Sequence, residues 1–172
     1  MINLETFDLD DFGTRVEYPR NFLLQKEGSV ASKFWFLERG IARYIFHTDE
    51  KEFSGWFDLE GDFVGSIYSL LGFGPARETI QLIEDSVLIE IPIDSVKANQ
   101  KVFEDFKLQV LEHYFLELEL RVKFFQSMDG RQRYDYLMST KPELIRRVPL
   151  KLLASFLGLT PESLSRIRAS FS

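Results

Sequence analysis

The chain has 172 residues, 45% of them hydrophobic and 28% charged, and no cysteine, which rules out a disulfide framework, a Cys-ligated zinc and a thiol nucleophile. No apolar run reaches the roughly 18 residues that span a bilayer, and Met1-Ile2-Asn3-Leu4-Glu5 lacks a secretory signal's basic start and apolar core; a cytoplasmic protein without a membrane partner is expected. The formal charge of −6 hides a basic tail: residues 131–172 hold eight Lys/Arg and three Asp/Glu, a net of +5, leaving −11 on the first 130, a division that points to a polyanionic partner for the tail alone.

Eight of the ten glycines fall between Gly13 and Gly74, several between apolar runs of strand length. In Phe53 to Leu59 the odd positions alternate against Ser54, Trp56 and Asp58. Phe34 to Leu37, Ile41 to Phe46, Thr79 to Ile83 and Val87 to Ile91 are aromatic or β-branched runs. Short strands at such spacing predict a barrel, sandwich or roll. Its core would take most of the 17 phenylalanines.

After Pro92 the period changes. Val102 to Phe125 contains neither Gly nor Pro and predicts one long helix. Leu108, Leu111, Phe115, Leu118, Val122 and Phe125 follow alternating spacings of three and four, the seam of a coiled coil. A second stripe, Phe103, Phe106, Val110 and Tyr114, lies beside it. One face suits the roll; the other is left for a second copy of the chain. The alternative is that one subunit buries both. Ser127 to Gly130 breaks the helix, and Arg131 to Ser139 predicts another with Tyr134, Leu137 and Met138 on one side. Pro142 and Pro149 punctuate the stretch after it.

Pro149 to Phe171 carries most information. Leu150 to Leu157 predicts a short helix with Leu153, Phe156 and Leu157 inward, stopped by Gly158. Thr160 is a helix N-cap, and Pro161 takes the first helical position, where a missing N–H costs nothing. The next helix places Leu164, Ile167 and Phe171 on its back and Glu162, Ser165, Arg166 and Ala169 on its front. This is a helix-turn-helix. Its second helix is built to read a groove: Arg166 can donate twice to a guanine edge, and Glu162 can accept from a cytosine amino group. Thr160, Ser163 and the first-turn N–H groups can meet phosphate, with Ser165 and Arg168 beside them. The bland reading is a surface Glu162–Arg166 pair worth a few tenths of a kcal/mol.

The segment Ala154 to Ile167, with Thr-Pro-Glu at its helix start, resembles the DNA-reading element of the Crp–Fnr superfamily of bacterial transcription regulators. Glu162 and Arg166 stand in the places of that family's base-reading pair. Phe34 to Gly40 and Glu60-Gly61-Asp62-Phe63-Val64-Gly65 resemble its cyclic-nucleotide-binding-like roll, and the seam helix resembles its dimerisation helix. The resemblance implies an α+β chain in three parts: an antiparallel, jelly-roll-like β-roll over residues 1–98, a dimerisation helix over 99–127, and a winged-helix-like helix-turn-helix domain over 128–172. It implies a homodimer on double-stranded DNA, with RNA polymerase and a small-molecule effector as further candidate partners, and no cofactor or catalytic activity.

The candidate effector pocket comprises Gly61, Asp62, Phe63, Gly65, Ser66, Arg77 and Thr79. Here the pattern departs from cyclic-nucleotide binders. Ser66 stands where the family has the ribose-binding glutamate, and Arg77 is followed by Glu78 instead of a hydroxyl donor. A carboxylate beside a phosphate is electrostatically poor, so an effector other than cAMP is expected, with a cAMP response as the alternative. The family's iron–sulfur branch needs cysteines. His47 and His113 form no metal-ligand cluster, and Gly72-Phe73-Gly74-Pro75 is no phosphate loop, which together argue against an enzyme. A ligand-sensing or scaffold protein of the same fold without DNA affinity is the remaining rival, since the chain stops at Ser172, close behind the second helix.

Overall fold

The computed structural model describes residues 9–49 and 51–170. After a short helix α1 (Leu9–Phe12), eight strands follow: β1 (Thr14–Tyr18), β2 (Leu23–Gln25), β3 (Lys33–Arg39), β4 (Ala42–His47), β5 (Glu52–Asp58), β6 (Phe63–Val64), β7 (Thr79–Leu82) and β8 (Ser86–Pro92). A helical turn, α2 (Ile67–Leu70), separates β6 from β7. The strands form two antiparallel four-stranded sheets, ordered β1-β8-β3-β6 and β2-β7-β4-β5. Trp35, Leu37, Ala42, Val64, Ile80, Leu82 and Leu88 fill the space between them and are almost fully buried. This is the expected β-roll. Runs of β-branched and aromatic residues produce it because their side chains fit a pleated, half-buried surface.

Helices make up the rest: α3 (Ile93–Lys97), α4 (Gln100–Ser127), α5 (Gly130–Thr140), α6 (Pro142–Arg147), α7 (Leu150–Leu157) and α8 (Pro161–Ala169). Asn99 caps α4 by accepting from the Val102 N–H. At about 1.5 Å per residue, its 28 residues make a rod of about 42 Å. The break at Met128 and Asp129 holds a capping box, with Asp129 and Gln132 each satisfying the other's backbone N–H. Among the described residues the C-terminal part is all helical, so the winged-helix-like expectation is matched in its helices and no strand accompanies them.

Three expectations are corrected. Strand β5 does not alternate: Ser54, Gly55, Phe57 and Asp58 are all buried. A bulge lies opposite Tyr44 and Ile45, and α7 covers the outer face, where Ser155 Oγ accepts from the Ser54 N–H at 3.0 Å. Pro142 opens helix α6 rather than merely interrupting the chain; Pro149, by contrast, caps α7 where that helix was expected to start. Among the described phenylalanines only Phe34, Phe57, Phe106, Phe124 and Phe156 are buried. Phe36 and Phe63 pack edge-on at the core's margin, whereas Phe73 and Phe115 are exposed.

The core of the C-terminal helices is continuous with one end of the roll. Ile41, Phe57 and Ile83 join Phe124, Tyr134, Leu144, Leu153, Leu157 and Leu164 in a single apolar cluster. The rings of Phe57 and Phe156 meet edge to face, 5.4 Å apart.

Candidate nucleic-acid interface

Helices α7 and α8 meet through the turn 158–160. Gly158 closes α7 at φ +68°, a left-handed conformation that costs a residue with a Cβ atom. Thr160 then caps α8, its Oγ1 accepting from the Ser163 N–H at 3.2 Å, and Pro161 opens the helix. Leu164 is fully buried and Ile167 half-buried against α7 and α5; Phe171 lies outside the described residues. The back of α8 is thus fixed by packing.

Its front is open. Glu162, Ser165, Arg166, Arg168 and Ala169 are exposed, and Ser163 is half-exposed. Arg166 makes only a 3.4 Å hydrogen bond to Ser163 Oγ and no ion pair with Glu162 among the described residues. Its own backbone N–H, then the Thr160 hydroxyl, hold the Glu162 carboxyl below the usual range, so it is an acceptor at neutral pH. Lys151, at the start of α7, adds an exposed cation that charge counting alone did not single out.

Much of the remaining basic charge is committed within the molecule. Arg133 donates to the carbonyls of Met128 (3.0 Å) and Leu157 (2.8 Å), tying the break after α4 to the end of α7. Arg147 forks onto Glu60 with bonds of 2.6 and 2.9 Å and also bonds Glu84, so α6 is latched to two turns of the roll. Partial burial raises the Glu60 carboxyl, but Arg147 and the Gly40 N–H outweigh it and hold it down at about 2. Nothing local in the sequence links residue 147 to residue 60.

On α4 the two stripes separate as their spacing implies. Phe106 and Val110 are buried against Phe34, Ile91 and Val96 of the roll side, with Phe103 half-buried beside them. Tyr114, further along, is exposed. Leu108, Leu111, Phe115, Leu118, Val122 and Phe125 are 37–66% exposed, forming an apolar strip along one side of the rod.

The roll loop is different. Gly61 turns the chain at φ +92°. Asp62 Oδ2 accepts from the Leu59 N–H at 3.0 Å, and Phe63 packs on Phe36 and Phe106. A Cβ at Gly65 would lie 2.9 Å from Leu70 and 3.0 Å from Phe34, and its N–H donates to the Tyr44 hydroxyl at 3.1 Å. Tyr44 in turn donates to Asp58 at 2.6 Å, and the Trp56 indole donates to the same carboxyl at 2.7 Å. Burial, then the Asp62 carboxylate, push Asp58 up to about 7.

Ser66 is fully buried with an unpartnered Oγ. The Thr79 hydroxyl accepts from the Glu27 N–H. Arg77 is exposed, its guanidinium 3.8 Å above the Tyr68 ring, while Glu78 is buried. The predicted residues thus present a buried acid, Glu78, and an outward arginine, Arg77.

No family model and no curated protein matches the sequence. Solved structures do. FixK2 from Bradyrhizobium japonicum superposes with a TM-score of 0.73 at 18% identity, over 92% of this chain and 83% of that one. The c-di-GMP-responsive global regulator CLP of Xanthomonas campestris gives 0.70 at 17%, covering 98% and 89%. A CRP-family transcriptional regulator from Thermus thermophilus gives 0.70 at 18%, covering 90% and 83%. The chain has the fold of Crp/Fnr-type regulators, and the Xanthomonas and Thermus neighbours are regulators rather than enzymes. Among the described residues no helix is long and apolar enough to cross a membrane.

Proposed function

We propose that this chain is a sequence-specific DNA-binding transcriptional regulator that acts as a homodimer, with a roll that does not take a cyclic nucleotide. The observation that carries the reading is the open front of α8: Arg166 and Glu162 stand exposed on a helix whose back is anchored by the fully buried Leu164. Such a helix can enter a major groove by its N-terminal turn without disturbing its own packing. Arg166 would read a guanine edge, Glu162 a cytosine amino group, and Ser163, Lys151 and Arg168 would meet phosphate.

The apolar strip on α4 supports the dimer. A contiguous exposed patch of this kind marks an association surface, and its three-four spacing fits a second α4 packed against it. Pairing there would present two α8 helices to successive major grooves about 34 Å apart, on a near-palindromic site.

One observation favours the rival, a sensing shell without DNA affinity: Arg133 and Arg147 face inward to partners in the chain. A fluorescence titration on random duplex at several salt concentrations separates the two. Phosphate contacts by Lys151, Arg168 and the α8 N-terminus predict affinity that falls steeply with salt on a log–log plot; a flat, weak response means that α8 only fills space.

A further inference from the structure

A cavity of about 200 Å³ opens where β5, the C-terminal half of α4 and helices α5 to α7 converge. It lies outside the roll loop. Its walls are largely aromatic, with Trp56 and Phe57 from the roll, Phe124 from α4, and Tyr136 and Phe156 from the C-terminal helices. Leu120 and Thr140, both exposed, stand at its rim.

Two cations line it, Arg121 and Lys141. The Arg121 guanidinium lies 4.9 Å from the Phe156 ring centre, 5.1 Å from that of Phe125 and 5.4 Å from that of Trp56. Among the described residues it has neither a hydrogen bond nor an ion pair. Burial lowers its pKa to about 10, so it stays charged at neutral pH. Lys141 lies 5.4 Å from the Trp56 ring centre and 4.0 Å from Glu117, the one acid lining the cavity.

Cation–π contacts hold the half-exposed Arg121 guanidinium in place, and its planar N–H fork is not taken up by any carboxylate or carbonyl among the described residues. The planar fork matches a carboxylate in two parallel bonds. The apolar walls ask for a ring. The volume is below the roughly 300–1,000 Å³ of sites for drug-sized ligands, which limits the guest to a one- or two-ring molecule.

We propose that this cavity binds a small aromatic monocarboxylate, its carboxylate held by Arg121 and Lys141 and its ring between Trp56 and Phe156. The site touches the roll, the long helix and the helix-turn-helix unit together. Binding there does not depend on DNA, so the proposal stands or falls separately from the DNA-binding function.

The test is calorimetry and tryptophan fluorescence on the full chain with phenylacetate as probe. Saturable binding in the sub-millimolar range is expected, with the neutral isostere phenylacetamide and the ringless acetate each at least tenfold weaker. Arg121→Met should weaken phenylacetate at least tenfold, and Lys141→Gln, at a half-exposed position that a fold tolerates, several-fold. Circular dichroism checks that each variant folds, and Lys141→Gln keeps the test open if Arg121→Met does not. No saturation at millimolar phenylacetate, equal binding of phenylacetamide, or unchanged affinity in folded variants would overturn the assignment.

Discussion

Helix α8 and the roll loop from Gly61 to Thr79 are both polar segments that read as sites, yet the fold uses them in opposite ways. In α8 the polar residues have almost no work inside the protein: Glu162, Arg166 and Arg168 are exposed, while Leu164 and Ile167 hold the helix down. In the roll loop the polar groups are largely engaged. Asp62 caps a turn, the Gly65 N–H bonds Tyr44, Thr79 accepts from Glu27, and Glu78 is buried. A shared pattern of residue types is therefore not a shared site. The two segments differ in whether their side chains are left free to bind anything else.

Measurement can overturn or refine this contrast. The largest effect falls on the rod that would present α8 twice. Phe115→Glu with Leu118→Glu places four charges in the strip of a pair, so sedimentation should give a monomer of about 20 kDa and specific DNA affinity should drop by at least about 100-fold, or roughly 2.7 kcal/mol. A dimer that survives both charges moves the interface elsewhere.

Leu164→Ala comes next. It empties a fully buried position under α8 and should cost about 2–5 kcal/mol in denaturant unfolding; a loss below about 1 kcal/mol would mean that the helix is not anchored there.

Arg166→Ala should cost about 1–3 kcal/mol on the selected site and relax one base pair per half-site, whereas Arg168→Ala should weaken all sequences alike and flatten the salt slope. Equal losses on every sequence would make Arg166 a phosphate contact instead.

A smaller effect concerns pH. Asp58 keeps its proton to about 7 when folded, against 3.8 for an ordinary aspartate. Between those values the unfolded chain binds fewer protons than the folded one, so stability contributed at low pH is lost as pH rises through that window. Asp58→Asn should remove this slope in thermal melts; an unchanged profile would assign it to other groups. The smallest effect is none: calorimetric titration with cAMP should give no saturable heat, and a micromolar isotherm would reverse the reading of Glu78.

Local pattern made much of the molecule legible. The seam of α4, the Gly158 stop, the Thr160 cap and Pro161 each depend on residues within a few positions of one another, and periodicity reads such features directly. Strands β1 and β2 carry no such signal, β1 because it is largely exposed and β2 because it is only three residues long. Burial of β5 on both faces was hidden for a different reason. It depends on α7, about a hundred residues downstream, through the Ser54–Ser155 hydrogen bond and the Phe57–Phe156 contact. The Arg147 latch on Glu60 and Glu84 and the Arg121 cavity are also long-range meetings. In the sequence their residues count only as charge, and three-dimensional proximity alone makes them a joint between the roll and the helices that follow it.

The proposed function has α8 engage a groove twice, and in vitro selection of bound duplexes tests that most directly. The expected result is enrichment of an inverted repeat whose half-sites lie one helical turn, about 34 Å, apart, and loss of one specified position per half-site with Arg166→Ala. Recovery of unenriched sequence from the wild-type chain at low salt would contradict it.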